Sequence, residues 1–149
     1  MAAPERFAAS RYWERPFYRP LRALATSCVI GALATDAAYT LTANYIWVDF
    51  SDWLLFDAAA LGVLALIVGL VELVARRRHS ILGPPAISAV LDIVILALVI
   101  VNNLVHSDDG WTSVVPFGIA LSGLTALVLI LSEWSQRTTR APVYVEGVA

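Results

Sequence analysis

The chain reads as an all-α protein, a four-transmembrane-helix bundle with both termini in the cytoplasm (N-in/C-in). Three observations predict this. Four apolar stretches each run for about 20 residues, enough to cross a hydrocarbon core of about 30 Å. Arginine is confined to alternate loops, and tryptophan flanks the stretches on both sides. The composition agrees: 59% of the 149 residues are apolar, and mean hydropathy is +0.74. Ordinary globular domains hold roughly 45–50% apolar residues.

Residues 1–20 form a basic, aromatic arm, with Arg6, Arg11, Arg15 and Arg19 interleaved with Tyr12, Trp13, Phe17 and Tyr18. Beside a membrane span this composition suits the headgroup region rather than nucleic acid. Pro16 and Pro20 interrupt a continuous helix there. The membrane domain covers 21–134, with spans at about 21–45, 53–75, 85–105 and 114–134, and a cytoplasmic tail follows at 135–149. The first span is the most polar, carrying Thr26, Ser27, Thr35, Asp36, Thr40 and Thr42. Nonpolar sequence continues past Ala34, which favours an uncleaved span over a signal peptide. Pro84 and Pro85 suit the start of the third span. No period-two alternation occurs, which sets aside a membrane β-barrel.

Arginine sets the orientation. Five lie in the arm and at the head of the first span, three (Arg76, Arg77, Arg78) after the second, and Arg137 and Arg140 in the tail. The other two loops carry Asp49, Asp52, Asp108 and Asp109 and no arginine. The positive-inside rule then places both termini and the middle loop in the cytoplasm. Trp47, Trp53 and Trp111 fall at the outer interface, Trp13 and Trp134 at the inner one.

Ionisable and amide groups inside spans are functional-site candidates, because each is disfavoured in hydrocarbon by about 2.5–3.5 kcal/mol on insertion scales. Asp36, Asp57, Asn102, Asn103 and His106 fall at similar depth in the outer half of an antiparallel bundle. They read either as a polar pocket for a cation, a proton or a cofactor edge, or as interhelical hydrogen bonds. Asp92, Glu72, Glu133 and Arg22 fall toward the cytoplasmic ends. Here Arg22 and Asp92 are expected to pair, and the sharper alternative makes Asp36 and Asp92 steps of a proton path. Small residues in the first, second and fourth spans, among them Gly31, Gly62, Gly69, Ser122 and Gly123, suit close helix approach. Cys28 is the only cysteine, so an intramolecular disulfide and thiolate clusters are excluded, and it reads as a small buried hydrophobe.

Sequence signals of catalysis are lacking. There is no glycine-rich phosphate loop, CxxC, HExxH or GxSxG. His79 and His106 lie at opposite faces and cannot share one metal or haem. The chain is therefore expected not to be an enzyme and to hold no metal or cofactor. His106 is the weak candidate for a cofactor ligand.

Certain runs resemble a known family. Asp36-Ala37-Ala38-Tyr39, Thr42-Ala43-Asn44, Trp47, Phe50-Ser51-Asp52-Trp53-Leu54 and Gly69-Leu70-Val71-Glu72 are similar to the membrane proteins called domain of unknown function 2231. The likeness extends to Asp92 and Asn102 in the third span and to Tyr144-Val145-Glu146-Gly147-Val148 in the tail, covering about Arg19 to Val148. It implies a four-span bacterial inner-membrane protein without an established activity. Many members carry histidines before the first span, early in the third and in the tail, a set that suits haem or metal. This chain has Arg19, Ser88 and Glu146 there, which removes the expected ligands.

The leading expectation is a structural or accessory subunit of a larger membrane or respiratory assembly, or a homo-oligomer, with the lipid bilayer as its surroundings and no nucleic acid. Proton, ion or solute handling through Asp36, Asp57 and Asp92 is the first alternative. A haem-binding redox protein using His106 is the second.

Overall fold

The computed structural model describes residues 17–76, 86–107 and 114–138. Four helices make up almost all of it: α1 (Tyr18–Thr42), α2 (Ile46–Arg76), α3 (Ala86–Ser107) and α4 (Ile119–Thr138). No strand occurs among the described residues. All four helices are long and apolar enough to cross a membrane. The interfacial arm, the arginines and His79 of the middle loop, Asp108, Asp109 and Trp111 of the third loop, and the tail signature lie outside the described residues.

The first loop is shorter than the expected 46–52. Ala43 ends α1 in the left-handed region (φ 50°) and donates its N–H to the Tyr39 carbonyl. Asn44 Oδ1 then accepts from the Ile46 N–H (3.2 Å), and α2 begins at once. Asp49 sits in its first turn, where a carboxylate favours the positive end of the helix dipole. Asp49 therefore marks a helix start rather than a loop. Ahead of α4, Val114–Gly118 forms a wide turn in which Val115 is extended (φ −123°, ψ 121°). Pro116 follows it, and proline disfavours the helical region for its predecessor.

The helices run up, down, up, down and neighbour one another in ring order, with α1 also meeting α4, so α1 and α3 face each other across the diagonal. Gly31 and Gly69 permit the close α1–α2 approach. A Cβ on Gly31 would stand 3.2 Å from Leu54, and one on Gly69 would stand 3.1 Å from the Tyr18 ring.

The burial pattern is inverted relative to a water-soluble bundle. Leu24, Ile30, Phe56, Ile67, Val90, Ile93, Leu104 and Ile130 are more than half exposed, whereas Asp36, Ser51, Asn102, Ser122, Thr125 and Ser132 are fully buried. Such an exterior has no stable place in water. In lipid it is solvated, and the polar groups must satisfy one another inside.

Candidate functional site

Two polar clusters lie inside the bundle, and a seven-residue spacing sets them apart. On α1, Arg22, Val29 and Asp36 follow at intervals of seven; on α3, Asp92, Val99 and His106 do the same. Seven residues are close to two helical turns, so each set stays on one inward face. At 1.5 Å per residue the clusters stand about 21 Å apart.

The outer cluster is centred on Asp36, which is completely buried. Ser51 Oγ of α2 donates to Asp36 Oδ1 (2.5 Å), and Ser122 Oγ of α4 donates to Oδ2 (2.5 Å). His106 of α3 places Nε2 at 2.9 Å from Oδ1. One carboxylate thus joins all four helices. Asn102 Nδ2 donates to Ser122 Oγ (2.8 Å), and Thr35 Oγ1 lies 2.7 Å from Ser51 Oγ. His106 Nδ1 faces the Asn102 carbonyl at 3.0 Å.

A carbonyl only accepts, so His106 Nδ1 carries hydrogen. Its Nε2 faces a carboxylate oxygen, so a second proton lies between Nε2 and Oδ1, on whichever atom holds it. The pair is therefore either imidazolium with carboxylate or imidazole with carboxylic acid, and it carries no net charge. Asn102 Oδ1 is buried and accepts no hydrogen bond among the described residues.

The inner cluster is centred on Arg22. Its Nε lies 3.0 Å from Asp92 Oδ1, its Nη1 contacts Glu133, and its Nη2 donates to Ser132 Oγ (2.9 Å). The Tyr18 hydroxyl donates to the other Asp92 oxygen. The planar fork of arginine allows this three-way contact, which a lysine would not match. Above it a cavity of about 50 Å³ is lined by Tyr18, Arg22, Thr26, Gly62, Asp92 and Leu96.

Between the clusters Val29, Ala58, Ile95, Val99 and Leu129 pack as a buried apolar layer. The candidates of the sequence thus divide. Asp36, Asn102 and His106 come together, as do Arg22, Asp92 and Glu133. Asn103 stands aside and donates to the Asp52 carbonyl (3.1 Å). Asp57 points away, exposed on the outside of α2. Glu72 is separate too, both carboxyl oxygens buried and without a partner among the described residues, beside a groove lined by Phe17, Leu21, Leu24 and Val71. Sequence reasoning missed Ser51, Ser122, Ser132 and Tyr18 as members of these clusters. On α4 the inward set Ser122, Thr125, Leu129 and Ser132 repeats at three and four residues, and that spacing is a readable signal.

Chemically the outer cluster can hold a proton. It is poorly suited to a haem, because both His106 nitrogens are engaged inside the protein and neither lone pair faces an open space. Among the described residues no three histidine, cysteine or acidic side chains gather as a metal site.

An inside-out bundle of four apolar helices, closed by internal ion pairs, defines a four-span integral membrane protein. The chain belongs to the family described as Predicted membrane protein (DUF2231), whose model matches residues 23–140. That match takes in nearly all of the four helices and the runs from Asp36 to Glu72, and ends before the Tyr144–Val148 signature. No curated protein and no solved structure matches the chain.

Proposed function

We propose that this protein is a structural or accessory component of a membrane assembly, such as a respiratory complex or a homo-oligomer, and not an enzyme. Its place is a bacterial inner membrane with both termini in the cytoplasm, a reading supported by the arginine distribution. The observation that carries the role is the use of the interior polar groups. Asp36 is hydrogen-bonded to three other helices, Arg22 binds two, and an apolar layer separates them. A polar interior spent on closing the bundle leaves little for a substrate, and the remaining surface is available to lipid and partners. Cross-linking in native membranes tests this: bands heavier than the monomer support it, and monomer alone counts against it.

Proton handling is the second reading. It is favoured by the proton held between His106 Nε2 and Asp36 Oδ1. Proton flux in liposomes that disappears in Asp36→Asn would support it, and flux that survives would dispose of it.

A further inference from the structure

We infer that the cavity beside Arg22 is a water site, a short file of water that joins Asp92 and Thr26 to Asn102 and links the two polar clusters. Its role in moving protons rests on the proton-handling reading, which it deepens by naming the relay. The apolar layer between the clusters is hollow. Val29, Ala58, Ile95, Val99 and Leu129 form that layer, and all five line the cavity. The walls come from all four helices. On α2 they include Ala58, Gly62 and Ala65, where larger side chains would fill the space. The cavity reaches from Arg22 to Val29, seven residues or about 10 Å, which is half the distance between the clusters.

Size and chemistry select the occupant. A volume of about 50 Å³ holds about three waters at roughly 10–15 Å³ each, and falls well short of the roughly 150 Å³ that admits benzene. A wholly apolar cavity stays dry. This one has acceptors at the Arg22 end. Each Asp92 oxygen takes a hydrogen bond, one from Arg22 and one from Tyr18, and a carboxylate oxygen has a second lone pair. Thr26 Oγ1 gives its hydrogen to the Arg22 carbonyl (2.9 Å), which leaves its lone pairs to accept. A water donating to Asp92 and Thr26 has the two polar partners that hold it. At the Asp36 end stands Asn102. Asp92, Ile95, Val99, Asn102 and His106 follow at three and four residues and share one face of α3. A helical Cβ tilts toward the helix N-terminus, so the Asn102 side chain leans toward Val99 and the cavity. Its buried Oδ1 accepts no hydrogen bond among the described residues, and a water at the level of Val99 would serve it. Counted from the Arg22–Asp92 tie, Thr26 lies four residues on and Asn102 ten, so they stand about 9 Å apart along the axis. Three waters linked by bonds of about 2.8 Å span about 11 Å. The file ends where Asn102 meets Ser122, whose hydroxyl donates to Asp36. Each water in such a file gives up one proton as it accepts another, so the transfer needs no co-reactant.

The test uses the isotope-labelled full chain in lipid nanodiscs and reads magnetisation transfer from water to methyl groups by NMR. Transfer is expected to the methyls of Thr26, Val29 and Val99, and not to those of Leu55, which is fully buried and does not line the cavity. Silence at Val29 and Val99, with their signals shifted instead by dissolved xenon, would show a dry void and overturn the inference. Proton flux in liposomes tests the link. Thr26→Val keeps the shape and removes the hydroxyl, and is expected to slow flux about tenfold, while Thr26→Ser restores it. Flux indifferent to Thr26→Val overturns the link between the clusters. Water transfer in a wild-type protein that shows no flux upholds the water site and removes the proton-handling reading.

Discussion

Asp36 and His106 meet at 2.9 Å across the diagonal of the bundle, seventy residues apart in the chain, and Arg22 and Asp92 meet with the same separation of seventy. Helices α1 and α3 are therefore parallel and in register at two levels. They are cross-tied where the ring of neighbouring helices does not itself bring them together. Removing either tie should loosen the bundle as a whole.

Asp36→Ala leaves three buried polar groups, on Ser51, His106 and Ser122, without their partner. Loss of one partner of a buried pair destabilises by about 3–5 kcal/mol, well above the roughly 0.6 kcal/mol of an ordinary membrane hydrogen bond. Reversible unfolding in mixed micelles should show a loss in the higher range. The exposed Thr40→Ala should be near neutral.

Arg22→Lys should recover only part of what Arg22→Ala loses, because a point charge cannot reach Asp92, Glu133 and Ser132 at once. Thermal unfolding of the two variants in one detergent gives the order. Equal stability of lysine variant and wild type would show that the fork geometry is immaterial.

The glycines should separate by their surroundings. Gly69→Val drives side-chain atoms into the Tyr18 ring and should destabilise by about 1–3 kcal/mol. Gly123→Ala meets nothing within 4 Å and should be neutral or mildly stabilising. Chemical denaturation of the pair is the check.

Ala43 holds a left-handed conformation that favours glycine. Ala43→Gly should raise stability by up to about 1 kcal/mol. A fall in melting temperature would contradict that account of the α1–α2 turn.

The four spans were legible because length and hydropathy alone determine what crosses hydrocarbon. Pairing of Arg22 with Asp92 was also legible, since both lie near the same end of the bundle and opposite charges in lipid seek each other. Depth did not determine direction, however. Asp57 was grouped with Asp36 by distance from the outer face. Yet the buried positions of α2 among the described residues are Val48, Ser51, Leu55, Ala58 and Ala65, and residue 57 lies about 100° round the helix from residue 58. Ser51 falls between the predicted spans 21–45 and 53–75, and Ser122 among the small residues that suit close helix approach. A short hydroxyl becomes a ligand of Asp36 only once four helices are assembled, and that is a tertiary fact. The early start of α2 was hidden because Asp49 and Asp52 are polar enough to look like loop.

A double-mutant cycle between Asp36→Asn and His106→Phe, read by reversible unfolding in mixed micelles, tests the central claim most directly. If the pair closes the bundle, the double variant should be more stable than the sum of the single losses implies, with a coupling of at least about 1 kcal/mol. Additive losses would mean that the two side chains do not hold each other, and would contradict the account.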